Sequence, residues 1–364
     1  MKAVAVLLVA GLCLESAACA SGRRVSVAPP PARRMVRILS IDGGGIRGLI
    51  PALVLQHLEK VIGRPVAEQF DLIAGSSTGG IMALLLTRPG PTGGPRFTTK
   101  DIVELYTVHG KDLFSRDAQY AQLSQDGAKL PKYPAASVIN TLRPYFDDSV
   151  MKDALTHVLV TTYDLDHRTP RLFTRSDPGG GAPYMRDVAQ ATSAFPGLFP
   201  PAELTFPEGT AHHLIDGGVV FINPALLAIA EARRLFGDTD IVLVSLGTGH
   251  YEAPLPYGEV STWGMEGWSS QLVDVLFDGS NHGVNGALNV AMPTSFFRFQ
   301  ILLPAGNDGT DDVRPENIQA LSELTAAAIA GAPTARIVDA DAPWPGRFAV
   351  LARRLAEVRP GQLR

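Results

Sequence analysis

The sequence predicts an α/β fold with its functional loops gathered along one edge of a sheet. Residues 36–41 form a short apolar run that ends in three consecutive glycines, and residues 49–62 continue as a periodic apolar segment. Residues 70–75 form a second apolar run, which breaks at a turn rich in Ser and Gly before the apolar segment 81–86. Each stretch is typical of a strand, a tight turn and a helix, and repetition of this unit predicts an α/β sheet.

Composition narrows the class of protein. The chain has 364 residues, of which 46% are hydrophobic and 19% charged, so it is long enough for one large or two modest domains. Its formal net charge is −4, and it has no dense basic run. We therefore expect no nucleic-acid partner.

The first 20 residues are typical of a signal peptide. The apolar run at residues 3–14 follows Met1-Lys2 and is too short to span a bilayer core, which takes about 20 helical residues. Ala18-Cys19-Ala20 fits a cleavage site that would release a soluble protein. Alternatively, Cys19 is similar to a bacterial lipoprotein cysteine, although Ser16 stands where such signals usually carry Leu. We expect an exported protein that is periplasmic, secreted or lipid-anchored to the bacterial envelope; an uncleaved tether or a wrongly assigned start is the alternative.

Residues 21–35 include three consecutive prolines and predict an extended tether between the leader and the folded part. Both cysteines, Cys13 and Cys19, lie in the leader. We therefore expect no intrachain disulfide in the mature chain, so that its stability comes from the packed core.

Later elements follow from apolar periodicity and from turn residues. A threonine at 98 or 99 can cap a helix that extends to about His109, with Asp101 in its first turn. Residues 111–134 are polar and interrupted by glycine and proline, which predicts an irregular surface excursion or a flap. Further strands are expected at residues 157–163, 172–175, 241–246 and 296–303, and further helices at 187–194, 224–236, 314–329 and 347–358.

Ser77 is the candidate nucleophile. It lies at the centre of Gly75-Ser76-Ser77-Thr78-Gly79, which matches the G-x-S-x-G pattern of a serine on a sharp strand-to-helix turn. The glycines two positions away on either side avoid collisions with the neighbouring backbone, and a helix N-terminus after the serine favours developing negative charge. An ordinary capping serine in a turn of small residues is the alternative.

A nucleophilic serine needs a base. Asp216 follows a short apolar run and precedes Gly217 and Gly218, which predicts a carboxylate at a strand end; burial would raise its pKa and strengthen it as a base. A turn aspartate that binds its own backbone is the bland alternative. His250 and His282 are the histidines that a Ser-His-Asp arrangement would use.

The glycine-rich loop at residues 43–48 formally matches G-x-G-x-x-G, a weak sign of dinucleotide binding. That reading needs an acidic residue at the end of the second strand; Glu68 or Asp71 could be proposed, but Asp71 precedes that strand. The other use is an oxyanion hole, in which the amides of Gly43, Gly44 and Gly45 face the oxyanion and Arg47 shapes the loop or adds positive charge.

Taken together, three blocks resemble the signature of the patatin-like phospholipases. They are the loop from Asp42 to Gly48, the elbow from Gly75 to Gly80, and Asp216-Gly217-Gly218, in that order along the chain. Residues 191–196 and 245–249 also look like connecting segments of that family, so the resemblance covers roughly residues 36–249. One departure is Ile222, which precedes Asn223-Pro224 where similar proteins often carry a second asparagine.

The resemblance implies a three-layer α/β/α sandwich with a mainly parallel central sheet. It implies a catalytic domain at residues 36–250 with a Ser77–Asp216 dyad that uses no histidine, metal or cofactor, and a C-terminal extension at 251–364 that packs on the same domain. It also implies hydrolysis of fatty-acyl esters of phospholipids or galactolipids in lipid catabolism, with transient contact to a membrane surface. A catalytically silent lipid-binding protein on the same fold is the alternative. The Trp- and Leu-rich stretch at 263–277 predicts either an acyl-chain groove or ordinary core.

Overall fold

The structure is a computed structural model that describes residues 34–176, 183–206, 209–269, 271–338 and 342–356. The leader at residues 1–20 and nearly all of the tether at 21–35 lie outside the described residues, so what the sequence predicts for them stays a prediction. From Arg34 onward the described residues belong to one compact unit. Within them, no helix combines the length and the apolar character that crossing a membrane requires.

Nine strands form one mixed sheet in the described part of the chain: β1 (Met35–Ile41), β2 (Leu72–Ser76), β3 (His157–Asp164), β4 (Thr169–Thr174), β5 (Ala202–Thr205), β6 (Ala211–Asp216), β7 (Asp240–Leu246), β8 (Phe296–Ile301) and β9 (Ile337–Val338). Their order is β5-β6-β3-β2-β1-β7-β8-β9, and β4 pairs with β3. The five central strands from β3 to β8 run parallel, whereas β4, β5, β6 and β9 add antiparallel pairs. The loops after β1 and β2 therefore emerge at the same edge, as the sequence predicts.

The helices of the described residues are α1 (Leu49–Ile62), α2 (Val66–Gln69), α3 (Thr78–Thr87), α4 (Thr99–Thr107), α5 (Gly110–Leu113), α6 (Ala118–Ser124), α7 (Ala135–Phe146), α8 (Met185–Thr192), α9 (Gly218–Phe221), α10 (Ala225–Phe236), α11 (Tyr257–Val260), α12 (Met265–Trp268), α13 (Leu272–Ala291), α14 (Pro315–Ala330) and α15 (Trp344–Ala356). A 3₁₀ turn at Gly45–Gly48 joins the glycine loop to α1. Thr98 caps α4 as expected, in a reciprocal capping box with Asp101.

The alternating sides of the central strands separate two apolar cores. In β1, Leu39 and Ile41 pack into a large core with α1 and α3, while Val36 and Ile38 pack into a smaller core on the opposite face with α10. Successive strand residues point to opposite faces of a sheet, so a strand buried on both sides is apolar throughout. The result is the three-layer α/β/α arrangement that the resemblance implies.

The surface excursion expected at residues 111–134 is largely exposed, but it is not irregular throughout, because it contains α6 and the end of α5. α7, which follows directly, was also not predicted. Its buried residues Val138, Leu142 and Phe146 recur every four positions, which is a helical signal, but Pro144 within the helix obscures it.

Candidate active site

Ser77 lies on a sharp turn between β2 and α3. Its backbone has φ 52° and ψ −124°, a conformation that costs free energy for a residue with a side chain and is typical of functional turns. A Cβ on Gly75 would lie 2.0 Å from the carbonyl oxygen of Gly79, and a Cβ on Gly79 would lie 2.2 Å from the carbonyl oxygen of Ile41. Both positions therefore require glycine, for the steric reason that the motif predicts.

Two threonines hold this turn from neighbouring elements. The amide of Ser77 donates to Oγ1 of Thr192 in α8 at 2.9 Å, and the Thr192 hydroxyl donates to the carbonyl oxygen of Thr161 in β3 at 2.7 Å. The strained backbone is thus fixed by a buried relay that spans β2, α8 and β3. Thr192 lies in the 191–196 segment, but its role as the acceptor for Ser77 could not be read from the sequence.

Asp216 is the last residue of β6, and its carboxylate meets the Ser77 hydroxyl. Ser77 Oγ donates to Asp216 Oδ2 at 2.6 Å, and the amide of Gly218 donates to Oδ1 at 2.6 Å. Asp216 is 1% exposed. Burial raises the pKa of Asp216 to about 7, although the hydrogen bonds from Ser77 and Gly218 act in the opposite direction. A Cβ on Gly217 would lie 2.1 Å from Thr161 Oγ1, so this glycine lets the aspartate turn pack against β3.

The glycine loop lies directly beside the nucleophile. A Cβ on Gly43 would be 3.2 Å from the Cβ of Ser77. However, the amide of Gly43 donates to the carbonyl oxygen of Ile222 at 2.9 Å, so the expectation of three free amides is corrected to two. The structure gives the amides of Gly44 and Gly45 no acceptor among the described residues. Ile222, the departure noted in the sequence, is thus the contact between the glycine loop and the aspartate segment.

Close packing from three directions shapes the same loop. A Cβ on Gly44 would lie 2.3 Å from Oγ1 of Thr248, and that hydroxyl donates to the carbonyl oxygen of Gly43 at 2.6 Å. A Cβ on Gly45 would lie 2.0 Å from the carbonyl oxygen of Thr310. At the end of the loop, a Cβ on Gly48 would lie 2.5 Å from Oγ1 of Thr78, the first residue of α3.

A buried ion pair anchors the start of the loop. Asp42 Oδ2 accepts from Arg298 Nη2 at 2.6 Å, and both side chains are almost fully buried. Arg298 Nη1 also donates to Ser245 Oγ at 2.8 Å in β7. Arg298 interrupts the apolar strand β8, and a charged residue in such a strand is the signal by which the sequence could have indicated a buried partner.

Arg47 stabilises the loop by reaching to a distant segment. Its Nη1 donates to the carbonyl oxygen of Asp308 at 3.1 Å. Desolvation in the cavity wall lowers the pKa of Arg47, whereas Asp308, Asp274 and Asp278 act to raise it. An arginine stays protonated under all ordinary conditions, so the cavity wall keeps a fixed positive charge here.

A cavity of about 510 Å³ opens over Ser77 and Asp216. Its volume is typical of a small-molecule site. Phe277, Val273 and Val275 of α13 line it, together with Leu113 of α5 and Val138 of α7. The apolar lining further includes Ile81, Phe114, Phe195, Leu198, Phe199, Ile222 and Leu255. The region expected to be a flap therefore supplies part of a wall that suits an acyl chain.

The stretch at 263–277 does not form ordinary core. The buried residues of α13 are Asn285 and Leu288, in its second half. Leu276 is 60% exposed and Met265 is 78% exposed, while Phe277 faces the cavity. The groove-or-cap interpretation fits these positions, and the core interpretation does not.

The histidines proposed for a Ser-His-Asp arrangement gather around α13. His250 Nδ1 lies 3.5 Å from Asp278 Oδ1, and His282 Nδ1 lies 2.9 Å from the Asp278 carbonyl oxygen. Their rings contact each other at a centroid distance of 4.9 Å. His250 lines the cavity, but the Ser77 hydroxyl donates to Asp216.

Neither acidic residue that a dinucleotide site would need lies at the end of β2. Asp71 accepts hydrogen bonds from the amide of Arg37 at 2.8 Å and from its guanidinium at 3.1 Å. This buried pair lies near the start of β1, at the opposite end of the strand from the glycine loop. Glu68 lies in α2 and is exposed.

Comparisons of the sequence with known proteins indicate one family. A family model described as "Patatin-like phospholipase" matches residues 39–229. "Patatin-like protein 2" of Arabidopsis thaliana is 31% identical over 338 residues, which are 81% of this chain and 83% of that protein. "Probable inactive patatin-3-Kuras 1" of Solanum tuberosum is 30% identical over 279 residues, 68% of this chain and 72% of the relative. The solved structure of VipD from Legionella pneumophila overlaps 82% of this chain and 67% of its own chain, at 11% identity and a TM-score of 0.35, a likeness too weak to bear on the site.

Proposed function

The chain belongs to the patatin-like phospholipase family, and we propose that it is a serine lipid acyl hydrolase in which Ser77 is the nucleophile and Asp216 the general base. The observation that carries the proposal is the 2.6 Å hydrogen bond from Ser77 Oγ to the buried Asp216 carboxylate. Family membership supports lipid acyl hydrolysis broadly; the dyad, the substrate and a role in lipid catabolism are the proposal.

In the first half of the reaction, Asp216 accepts the Ser77 proton while Ser77 Oγ attacks the ester carbonyl carbon. The carbonyl oxygen becomes an oxyanion, which the amides of Gly44 and Gly45 and the N-terminus of α3 stabilise. The tetrahedral intermediate collapses with cleavage of the ester bond, and protonated Asp216 donates its proton to the leaving alcohol. An acyl-serine remains.

In the second half, Asp216 takes a proton from a water molecule that attacks the acyl-serine. Collapse of the second tetrahedral intermediate releases the fatty acid, and the proton returns to Ser77. A base with a pKa of about 7 suits both halves, because it accepts and returns a proton readily at neutral pH. One carboxylate thus serves all four proton transfers of the proposed reaction.

The substrate proposal is an acyl lipid whose chain occupies the apolar cavity. The segment that contributes Leu255, Val273 and Phe277 to that cavity also carries apolar side chains that are unusually exposed. Tyr257 is 83%, Met265 78% and Leu276 60% exposed. Because α13 both lines the cavity and exposes Leu276, we expect this surface to contact a membrane transiently. Met265→Asp and Leu276→Asp should weaken flotation with zwitterionic vesicles and hydrolysis of vesicle lipid, while hydrolysis of a soluble short-chain ester stays unchanged. A loss of both activities would contradict membrane contact through this surface.

The dyad itself is tested with a soluble short-chain ester and a fluorophosphonate probe. Ser77→Ala should abolish hydrolysis and covalent labelling, and Asp216→Asn should abolish hydrolysis, both in folded protein. Full activity in either variant would refute the dyad. An unchanged protein that neither hydrolyses ester nor reacts with the probe would contradict the enzyme, and lipid binding in that case would support a catalytically silent lipid-binding protein. The double variant His250→Ala/His282→Ala should keep its activity; its inactivation would support a Ser-His-Asp esterase instead.

Export of the protein is also part of the proposal, based on the signal-like residues 1–20. Mass spectrometry of the N-terminus after cell fractionation tests it. A start at Ser21 indicates a soluble exported protein, and a lipid-modified Cys19 indicates an anchored one. An intact Met1 in the cytoplasmic fraction would contradict export.

A further inference from the structure

A second cluster of ionisable side chains lies where the turn between β3 and β4 meets β6. Asp164 is the last residue of β3, His167 is in the turn, and His212 is on β6. His212 precedes Asp216 by four residues on the same strand, a separation of about 13 Å at the rise of an extended strand. The cluster is therefore separate from the proposed dyad, and nothing in that reaction uses it.

Two imidazoles converge on one carboxylate oxygen. His167 Nδ1 lies 3.0 Å and His212 Nδ1 lies 2.8 Å from Asp164 Oδ2. The two rings stack, with centroids 5.3 Å apart and an interplanar angle of 30°. One ligand atom from each of the three residues lies within 4.8 Å of the others.

These separations are close to those of a tetrahedral metal site. Zinc binds imidazole nitrogen and carboxylate oxygen at about 2.0–2.2 Å, which places neighbouring ligands about 3.3 Å apart. The nitrogen-to-oxygen distances here fall short of that by about half an ångström or less. Admitting the ion takes an outward shift of about 0.3 Å at the exposed His167 ring and a separation of His212 from Asp164 by about 0.5 Å.

Surrounding contacts fix the ligands in this arrangement. Asp164 Oδ1 accepts the amides of Asp166 at 2.9 Å and His167 at 3.0 Å, which leaves Oδ2 directed at the two rings. The buried His212 ring packs edge-on against Phe206 at 4.9 Å. Such outer contacts orient metal ligands in established sites. The side chain of His167 is 61% exposed, so a water molecule can complete the coordination.

We propose that Asp164, His167 and His212 bind one zinc ion, which joins the β3–β4 turn to β6. Two imidazoles and one carboxylate form a donor set that suits zinc, whereas calcium and magnesium prefer oxygen ligands throughout. The ion stabilises the strand that carries Asp216 and takes no part in ester hydrolysis. A hydrogen-bonded Asp-His cluster without metal is the competing explanation.

The test uses the full chain without an affinity tag, freed of metal by a chelator and titrated with zinc chloride by calorimetry. We expect one zinc ion per chain and a thermal unfolding midpoint that rises by several degrees with zinc. His167→Ala, at an exposed position that tolerates truncation, should weaken zinc binding by more than the 10–100-fold typical of a lost outer contact and remove the thermal shift.

His213→Ala is the matched control. His213 is the next residue of β6, on its opposite face, where its Nδ1 binds Asp166 at 3.0 Å. This variant should bind zinc like the unchanged chain. The proposal is overturned if the unchanged chain binds no stoichiometric zinc, or if His213→Ala weakens binding as much as His167→Ala. Hydrolysis of a soluble ester should be the same with and without chelator, and this readout keeps the zinc site distinct from the proposed dyad.

Discussion

Asp216→Asn should inactivate the protein and yet make it more stable, by an amount that grows as pH rises from about 4 to about 7. The pKa of Asp216 is about 7 in the folded protein against an ordinary value of 3.8. Between these pH values the folded protein keeps a proton that the unfolded chain has lost, so stability falls as pH rises from about 4 to about 7. Each unit of pKa corresponds to about 1.36 kcal/mol. The rise from 3.8 to about 7 therefore means that ionising the buried carboxylate costs about 4 kcal/mol more in the folded protein than in the unfolded chain.

The asparagine side chain avoids that cost and keeps both neighbours. Its carbonyl oxygen can accept from the Gly218 amide, and its NH₂ group can donate to Ser77 Oγ. Relative to the unchanged protein, we expect the free energy of unfolding to rise by about 2 kcal/mol at pH 5 and about 4 kcal/mol at pH 8. We also expect kcat to fall by about 10⁴-fold or more, because the proton acceptor is gone.

Urea unfolding followed by tryptophan fluorescence at pH 5, 6, 7 and 8 measures the difference in stability. Hydrolysis of a soluble ester over the same pH range reports the ionisation of Asp216. With a pKa of about 7, the ionised fraction of this carboxyl falls from about 0.9 at pH 8 to about 0.1 at pH 6. We therefore expect kcat/KM to fall about tenfold between these pH values. A stability difference that does not grow with pH would refute the argument from burial. A flat kcat/KM between pH 6 and 8 would refute Asp216 as the base.

Three further changes test how the site is held. Thr192→Val leaves the amide of the nucleophile without its acceptor; we expect a loss of about 1–3 kcal/mol in urea unfolding and a lower kcat, and unchanged kinetics would contradict the relay. Arg298→Met leaves the Asp42 carboxylate buried without its guanidinium partner and should lower the free energy of unfolding by about 3–5 kcal/mol. The double variant with Asp42→Asn should recover much of that loss, whereas a loss equal to the sum of the two single variants would argue against the pair. Gly75→Ala should yield unstable protein in a thermal unfolding scan, while Gly94→Ala, where a Cβ meets open space, should be neutral; equal stability of the two variants would show that the elbow is not close-packed.

The sequence predicted the parts of the fold that local patterns specify. The strand–turn–helix units around Gly43 and Ser77 were recognisable because an apolar run, glycines and a helical period follow one another within about 25 residues. The elbow glycines and the aspartate at the end of β6 were identifiable for the same reason. α5 and α6 were not, because short polar helices owe their structure to tertiary packing and carry little periodicity of their own.

Local sequence patterns could not predict the contacts between distant segments. The Gly43 amide looked available in the sequence, but Ile222 occupies it from a segment almost 180 residues later. Likewise, nothing near Asp42 indicated Arg298 as its partner. A hydrogen bond between remote segments depends on how the sheet is assembled, and a single sequence does not record that pairing.

The residues that hold the proposed active site together are synthesised at widely separated times. The proposed nucleophile and its base are 139 residues apart in the sequence, and the two residues of the ion pair that anchors the glycine loop are 256 residues apart. Chains are made from the N-terminus, so Ser77 leaves the ribosome long before Asp216, and Arg298 follows later still. Ser77 is therefore synthesised well before the carboxylate that we propose as its base. We therefore expect ribosome-bound chains that end before β8 to hydrolyse no ester, because their glycine loop lacks the buried partner Arg298.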